Sequence, residues 1–315
     1  MKPSHVFILG SVTAMLTACG SLQPPRETFG TMDPSVAEAG HGRNLLYAST
    51  FGDEPLFVYA FPGGKLLGIV TGPIGPRGLC VNKSSDIFAP FIYIPGGVDE
   101  FAHGGGTPIA YLGFPYDGPN GCSVDPTTGD LAVVAATLRA VLVVYHYKPK
   151  LGWRLATSYT VGSMSKSAFC GFDSQGNLFV DGATSGGKFV LAELARGHKT
   201  FETLSVDQNV ATPGQVQWDG RHLAIGDLGV SPSVIYQFDI SGSNARKAGS
   251  TTLAGSTTVQ QFWIQGGVVV APDSGASCGG SEPGCLYFYK YPAGGSPTKT
   301  IVLPGAFGAT VSLRP

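Results

Sequence analysis

The sequence is organised by a repeat whose period lies in the forties. Six short apolar segments, GLCVN (78–82), GCSVD (121–125), CGFD (170–173), VQWD (216–219), FWIQ (262–265) and GATVS (308–312), end in the polar anchors Asn82, Asp125, Asp173, Asp219, Gln265 and Ser312. Successive anchors are 43, 48, 46, 46 and 47 residues apart. A turn follows the anchor in most copies and leads into a second apolar strand, as in Asp173-Ser174-Gln175-Gly176-Asn177 before LFVDG and Asp219-Gly220-Arg221-His222 before LAIGD. Each copy also has an aromatic strand joined by a turn to a last strand, as in VLVVYHYKPKLGWRLATSY and LYFYKYPAGGSPTKTIVL. Four strands per forty-odd residues is the content of one propeller blade, so the pattern predicts an all-β, six-bladed β-propeller.

The order of the strands also predicts how the ring closes. The first-strand copy GATVS (308–312) lies at the end of the sequence, whereas a matching second strand, NLLYAST (44–50), lies near its beginning. One blade is therefore expected to be completed from both ends of residues 44–315, which leaves no unpaired inner edge and suits a monomer. The composition agrees: 46 Gly and 23 Pro supply the turns, and no stretch after the leader carries a helical apolar period.

The first 43 residues read differently. Met1-Lys2 followed by VFILGSVTAML and Leu16-Thr17-Ala18-Cys19 is similar to a bacterial lipoprotein signal. The resemblance implies a leader over residues 1–18, cleavage before Cys19, acylation of Cys19, and a bilayer as first partner. At about 0.8 kcal/mol per buried CH₂, several acyl chains anchor a protein stably. Residues 19–43 then serve as a flexible tether. Gly20 after the cysteine favours the outer membrane or cell surface of the bacterial envelope.

Loss of the leader removes Lys2 and takes the formal charge from −1 to −2. That balance, without Lys/Arg clusters, argues against nucleic acid as a partner. Export permits disulfides. Cys278 and Cys285 bracket a short loop and suit a loop-closing bond, while Cys80 and Cys122 have opposite strand parity on neighbouring first strands, so that they either face each other or face apart, and a bond between them is the preferred reading. Cys170 then remains a small buried hydrophobe.

The units PNGCSVDPTTGDLAV and SAFCGFDSQGNLFVDG resemble the strand-turn-strand core of NHL-repeat and gluconolactonase/regucalcin-like six-bladed propellers. That resemblance implies the same fold, shared by proteins of many functions. The lactonases of the superfamily hold a divalent cation, calcium, at the channel mouth through Glu, Asn and Asp and use it to polarise a lactone. Asn120-Gly121 is similar to their Asn-Gly element, and Asp181 and Asp227, at the ends of two second strands, complete an alternative metal set. No Glu occupies a matching first-strand position, and an Asp at a strand end more often caps a turn.

Other chemistries have less support. No G-x-S-x-G elbow occurs, and the six His are scattered, with His103 and His198 at outer turns where a solvated imidazole is expected. The aromatic pairs Tyr59/Phe61, Tyr145/Tyr147, Tyr236/Phe238 and Tyr287/Tyr289 are expected to pack blade against blade, with a carbohydrate platform as the rarer use. First strands line the channel of a propeller, so Arg77, Asn120, Gln215, Gln217, Gln260 and Gln261 are the candidate ligand-binding residues. The sequence thus predicts a membrane-tethered binding or interaction module of the envelope, with a small molecule or an envelope protein as partner and no cofactor; the alternative is a calcium-dependent lactonase-type hydrolase.

Overall fold

A computed structural model of the chain describes residues 42–52, 55–70, 75–92, 96–135 and 140–315. The leader, Cys19 and the tether up to residue 41 lie outside the described residues. Six sheets, antiparallel apart from one added edge strand, make six blades, and no helix forms among the described residues. From the innermost strand outward, blade I runs Ala306–Ser312, Leu45–Thr50, Leu56–Ala60 and Leu66–Val70. Blade II begins on Cys80–Val81, blade III on Pro119–Val124, blade IV on Lys166–Phe172, blade V on Pro213–Trp218 and blade VI on Trp263–Gln265. Blade I is built from both ends of the chain, with Leu45 opposite Ser312, Leu46 opposite Val311 and Tyr47 opposite Thr310.

The hydrophobic core is divided into six layers, one at each interface between neighbouring blades. The second strands show why: successive side chains of a strand point to opposite faces. Leu45 and Tyr47 face blade II, where they meet Leu79, Ile87 and Phe101, whereas Leu46 and Ala48 face blade VI, where they meet Val270, Leu286 and Phe288. Leu131 and Val133 of blade III pack on Cys80 and Phe88 of blade II, and Ala132 and Val134 pack on Cys170, Leu178 and Val180 of blade IV. A buried strand of this kind must be apolar on both faces, which accounts for near-continuous runs such as LAVVA.

The anchors hold the turns between first and second strands. Asp125 Oδ1 accepts the backbone N–H of Thr127 at 2.7 Å, Asp173 Oδ1 those of Gln175 and Asn177 at 2.8 and 2.9 Å, and Asp219 Oδ1 those of Arg221 and His222 at 2.8 and 2.6 Å. Asn82 Oδ1 does the same for Asp86 N at 2.9 Å. These side chains satisfy backbone donors that a tight turn would leave without partners.

Three details depart from the sequence reading. Blade V gains a fifth strand, because the last strand of blade IV is only Glu202–Thr203 and the chain crosses at once to lay Ser205–Val206 parallel to Asn244–Ala245. Asp181 does not end its strand but lies inside Leu178–Ala183, while Asp227 does end Leu223–Asp227. Blade IV has one residue more in its first turn than blade V, and a one-residue slip turns the side chain to the other face. The two aspartates are therefore not equivalent, although both stand eight residues after their anchors in the sequence. His103, expected as a solvated imidazole, instead bridges blade II to the closing blade: Nδ1 lies 2.6 Å from Ser312 Oγ and Nε2 3.0 Å from Arg43 O.

Candidate functional site

The innermost strands define a central channel whose two ends differ. Four residues before each anchor, the six blades place Gly308, Gly78, Gly121, Phe169, Gln215 and Gln261 in one layer. Glycine is required on one side of this layer, because a Cβ on Gly308 would lie 2.5 Å from Gln261 Oε1, one on Gly78 3.2 Å from Gln261 Nε2, and one on Gly121 2.8 Å from the Phe169 ring. The large residues fill the space that the glycines leave. Gln261 Oε1 accepts the backbone N–H of Leu79 and of Ala309, both at 2.9 Å, and its Nε2 donates to Leu79 O at 2.8 Å. One amide thus ties blades VI, I and II together across the axis. Phe307 of blade I extends this plug into the apolar layer between blades IV and V.

Beyond the plug, toward the anchors, lies a cavity of about 290 Å³. It is lined by the disulfide pair Cys80 and Cys122, by Ser123, Phe172 and Asp173, and by Gln215, Gln217, Trp218 and Trp263. Gln215 Oε1, Trp218 Nε1 and Trp263 Nε1 are buried and have no protein partner. Each unsatisfied group of this kind costs about 1–3 kcal/mol, and these three lie sealed within the wall of one cavity, two donors and one acceptor that become available once their side chains turn toward it.

The six channel residues singled out in the sequence take different places. Gln215 and Gln217 line the cavity, although Gln217 spends its amide on a two-bond clamp with the backbone of Ile264, at 2.8 and 3.0 Å, which ties blade V to blade VI. Gln261 belongs to the plug. Asn120 Nδ2 donates to Ala168 O at 2.9 Å, a link from blade III to blade IV. Gln260 contributes its backbone carbonyl to Gln215 N at 2.9 Å. The Arg77 guanidinium sits over the rings of Phe51 and Phe307, 5.0 and 5.1 Å from their centroids, away from the cavity. Sequence reasoning missed Trp218 and Trp263; the available signal was an indole on an innermost strand one or two residues before an anchor.

The alternative metal set is engaged elsewhere. Asp227 accepts the backbone N–H groups of Ala211, Thr212 and Gly229 at 2.9, 3.0 and 3.0 Å, so it caps a turn. Asp181 is wholly buried, accepts Phe169 N at 2.9 Å through Oδ1, and leaves Oδ2 without a partner. Burial pushes its carboxyl well above the ordinary range, against the opposing effect of that hydrogen bond. With Asn120 committed to Ala168 of the next blade, each member has a structural role of its own.

Two bonds join the cysteines. Cys80 and Cys122 connect blades II and III with an S–S distance of 2.04 Å, and Cys278 and Cys285 close a loop of blade VI with one of 2.27 Å. Cys170 is buried and unpaired.

The architecture and site define the chain as a six-bladed β-propeller with a plugged channel. A chain in the crystal structure of a nidogen/laminin complex superposes with a TM-score of 0.65 at 12% identity, over 86% of this chain and 98% of that one. A protein of unknown function from Bacteroides caccae superposes with a TM-score of 0.61 at 11% identity, over 86% and 99%. No protein-family model matches the sequence, and no curated protein does. Identities this low establish the fold alone.

Proposed function

We propose that the chain is a membrane-tethered interaction module working outside the cytoplasm in the bacterial envelope, with its ligand held in the cavity at the anchor end of the channel. The observation that carries the reading is the set of three buried polar atoms, Gln215 Oε1, Trp218 Nε1 and Trp263 Nε1, around a single cavity. A small polar ligand, or the tip of a partner's loop, that offers acceptors to both indoles and a donor to Gln215 would satisfy all three as these side chains turn into the cavity. The lipoprotein-like leader with Cys19 supports the tether. The nidogen/laminin neighbour places a protein of this fold in a protein–protein complex.

The repeat similarity to NHL and gluconolactonase-like propellers is the finer kinship within this reading. A calcium-dependent lactonase-type site would need Asn120, Asp181 and Asp227 to exchange the partners described above for a cation, so the module reading stands first. Two measurements test the proposal. Metabolic labelling with an alkynyl palmitate is expected to mark the wild type and to fail in Cys19→Ser. A thermal-shift series of small amides, carboxylates and polyols, read with tryptophan fluorescence, is expected to give a saturable response that Trp218→Phe and Trp263→Phe weaken. Labelling that survives in Cys19→Ser rejects the tether, and a response untouched by both indole variants rejects the cavity.

A further inference from the structure

A second concavity opens between blades II and III on the outer side of the ring, next to the channel cavity, with which it shares Val124 and Pro126 as lining. Its volume is about 920 Å³, several times that of the channel cavity. Four of the large hydrophobic side chains exposed among the described residues, Ile109, Tyr111, Tyr147 and Leu151, lie along it. Tyr147, the exposed member of the pair whose partner Tyr145 is buried in the blade interface, is 52% accessible. It meets the indole of Trp153 edge-on at 5.4 Å, and Trp153 in turn is fixed against Phe88 at 5.5 Å.

The charged groups of the groove are of both signs. Glu100 sits at its base, 7% exposed, with Oε2 accepting the Trp153 indole N–H at 2.8 Å. Burial pushes its carboxyl upward, the indole N–H opposes this, and the nearby Asp86 adds to the rise. Asp86 is held by Asn82 Nδ2 at 3.0 Å, and Arg154 is braced by the Trp153 carbonyl at 2.9 Å. Lys83 and Arg154 stand against three lining carboxylates, Asp86, Glu100 and Asp125, the last turned to its own loop, so the groove carries both signs with no large excess of either. Fixed aromatic faces flanked by paired carboxylate, amide and guanidinium groups suit a ligand with apolar C–H faces and vicinal hydroxyls at its edges. A pyranose ring has both.

We propose that the groove formed by Glu100, Asp86, Tyr111, Tyr147, Trp153 and Arg154 is a binding site for a short oligosaccharide, neutral or weakly charged. Tyr147 and Tyr111 provide stacking surfaces; Glu100, Asp86 and Arg154 bind hydroxyl pairs. None of these six residues lines the channel cavity, although Val124 and Pro126 line both, so a glycan on the rim would lie beside a ligand on the axis.

The test is a glycan array, carrying neutral and uronic oligosaccharides and cell-wall fragments, probed with the full chain purified in detergent, followed by calorimetry with the best oligosaccharide. Saturable binding is expected, weakened at least about tenfold by Tyr147→Ala and by Arg154→Ala. Both residues are exposed, so the variants keep the fold, and unchanged thermal unfolding verifies this. Binding should be indifferent to Trp218→Phe in the channel. Three outcomes overturn the proposal: no glycan retained on the array, glycan binding that survives both groove variants, or selection from a random peptide library of a sequence that needs Tyr147 while no glycan binds, which would assign the groove to a protein partner.

Discussion

Gln261 and Gln215 occupy the same position in two neighbouring repeats, four residues before their anchors, yet they belong to different parts of the channel. Gln261 places both amide atoms on the backbones of two other blades and closes the axis. Gln215 turns its Nε2 to the carbonyl of the adjacent Val216 and leaves Oε1 without a partner in the cavity wall. The difference comes from what stands opposite: Gly308 and Gly78 leave room for the Gln261 side chain to cross the axis, whereas Gln215 bonds only to the backbone of its own strand. A repeat position therefore fixes where a side chain points, while its neighbours around the ring decide whether it stabilises the fold or remains available to a ligand.

The largest effect is expected where the plug is opened. Gln261→Ala strands Leu79 N, Leu79 O and Ala309 N inside the ring and should cost about 4.5 kcal/mol at roughly 1.5 kcal/mol for each lost partner. Urea unfolding measures it. The same change at Gln215 removes one bond and should cost about 1 kcal/mol; equal losses at the two positions would mean that the axis is not closed by Gln261.

The disulfides bear on the cavity from the other side. Cys80 and Cys122 line it and close a loop with a sequence separation of 42, against 7 for Cys278 and Cys285. On the loop-entropy account, removing the first by Cys122→Ala should cost about 4 kcal/mol and removing the second by Cys285→Ala about 2.5 kcal/mol. Thermal unfolding under oxidising conditions reads both. A reversal of that order would place the strain of the native state above the entropy of the unfolded chain.

Two aspartates give a smaller effect with opposite signs. The carboxyl of Asp181 is held well above its ordinary range by burial, so the folded state binds a proton that the unfolded chain releases near pH 4. Its contribution is fully present below that pH and is lost as pH rises through the folded value. Burial also acts to raise Asp219, but the N–H of His222, the Tyr291 hydroxyl and the N–H of Arg221 outweigh it and hold the carboxyl below its ordinary range. That contribution is present above the unfolded value and is lost as pH falls through the folded one. Asp181→Asn, which can keep the acceptor for Phe169 N, should flatten the fall in stability that begins as pH rises above about 4, and Asp219→Asn the loss on the acid side.

The sequence made the ring legible because every blade repeats the same local chemistry: a polar anchor that caps a turn, followed by an apolar strand buried on both faces. Closure was legible from the pairing of GATVS with NLLYAST, realised as Leu45 to Thr50 against Ala306 to Ser312. The site was less so. Listing polar residues on first strands gathered Arg77, Asn120 and Gln261 with Gln215, although only geometry separates a side chain spent on a neighbouring blade from one left without a partner. The non-equivalence of Asp181 and Asp227 was hidden by a single extra turn residue. Trp153 and Glu100 come from different blades, 53 positions apart in the chain, and no local pattern announces that they share a hydrogen bond.

The smallest predicted change in stability accompanies a large one in binding. Trp218→Phe and Trp263→Phe each delete an indole N–H that has no protein partner, while the ring that packs in the wall is kept in reduced form. The removed donor no longer carries an unmet desolvation cost of about 1 kcal/mol or more, and the lost ring volume acts in the opposite direction by a similar amount. The net change in unfolding free energy should therefore stay within about 1 kcal/mol of zero. A ligand that gains its affinity from those donors should weaken about tenfold per substitution. If instead either variant destabilises the ring as strongly as Gln261→Ala, the indoles are structural on the same terms as that amide, and the contrast between the closed and open ends of the channel fails.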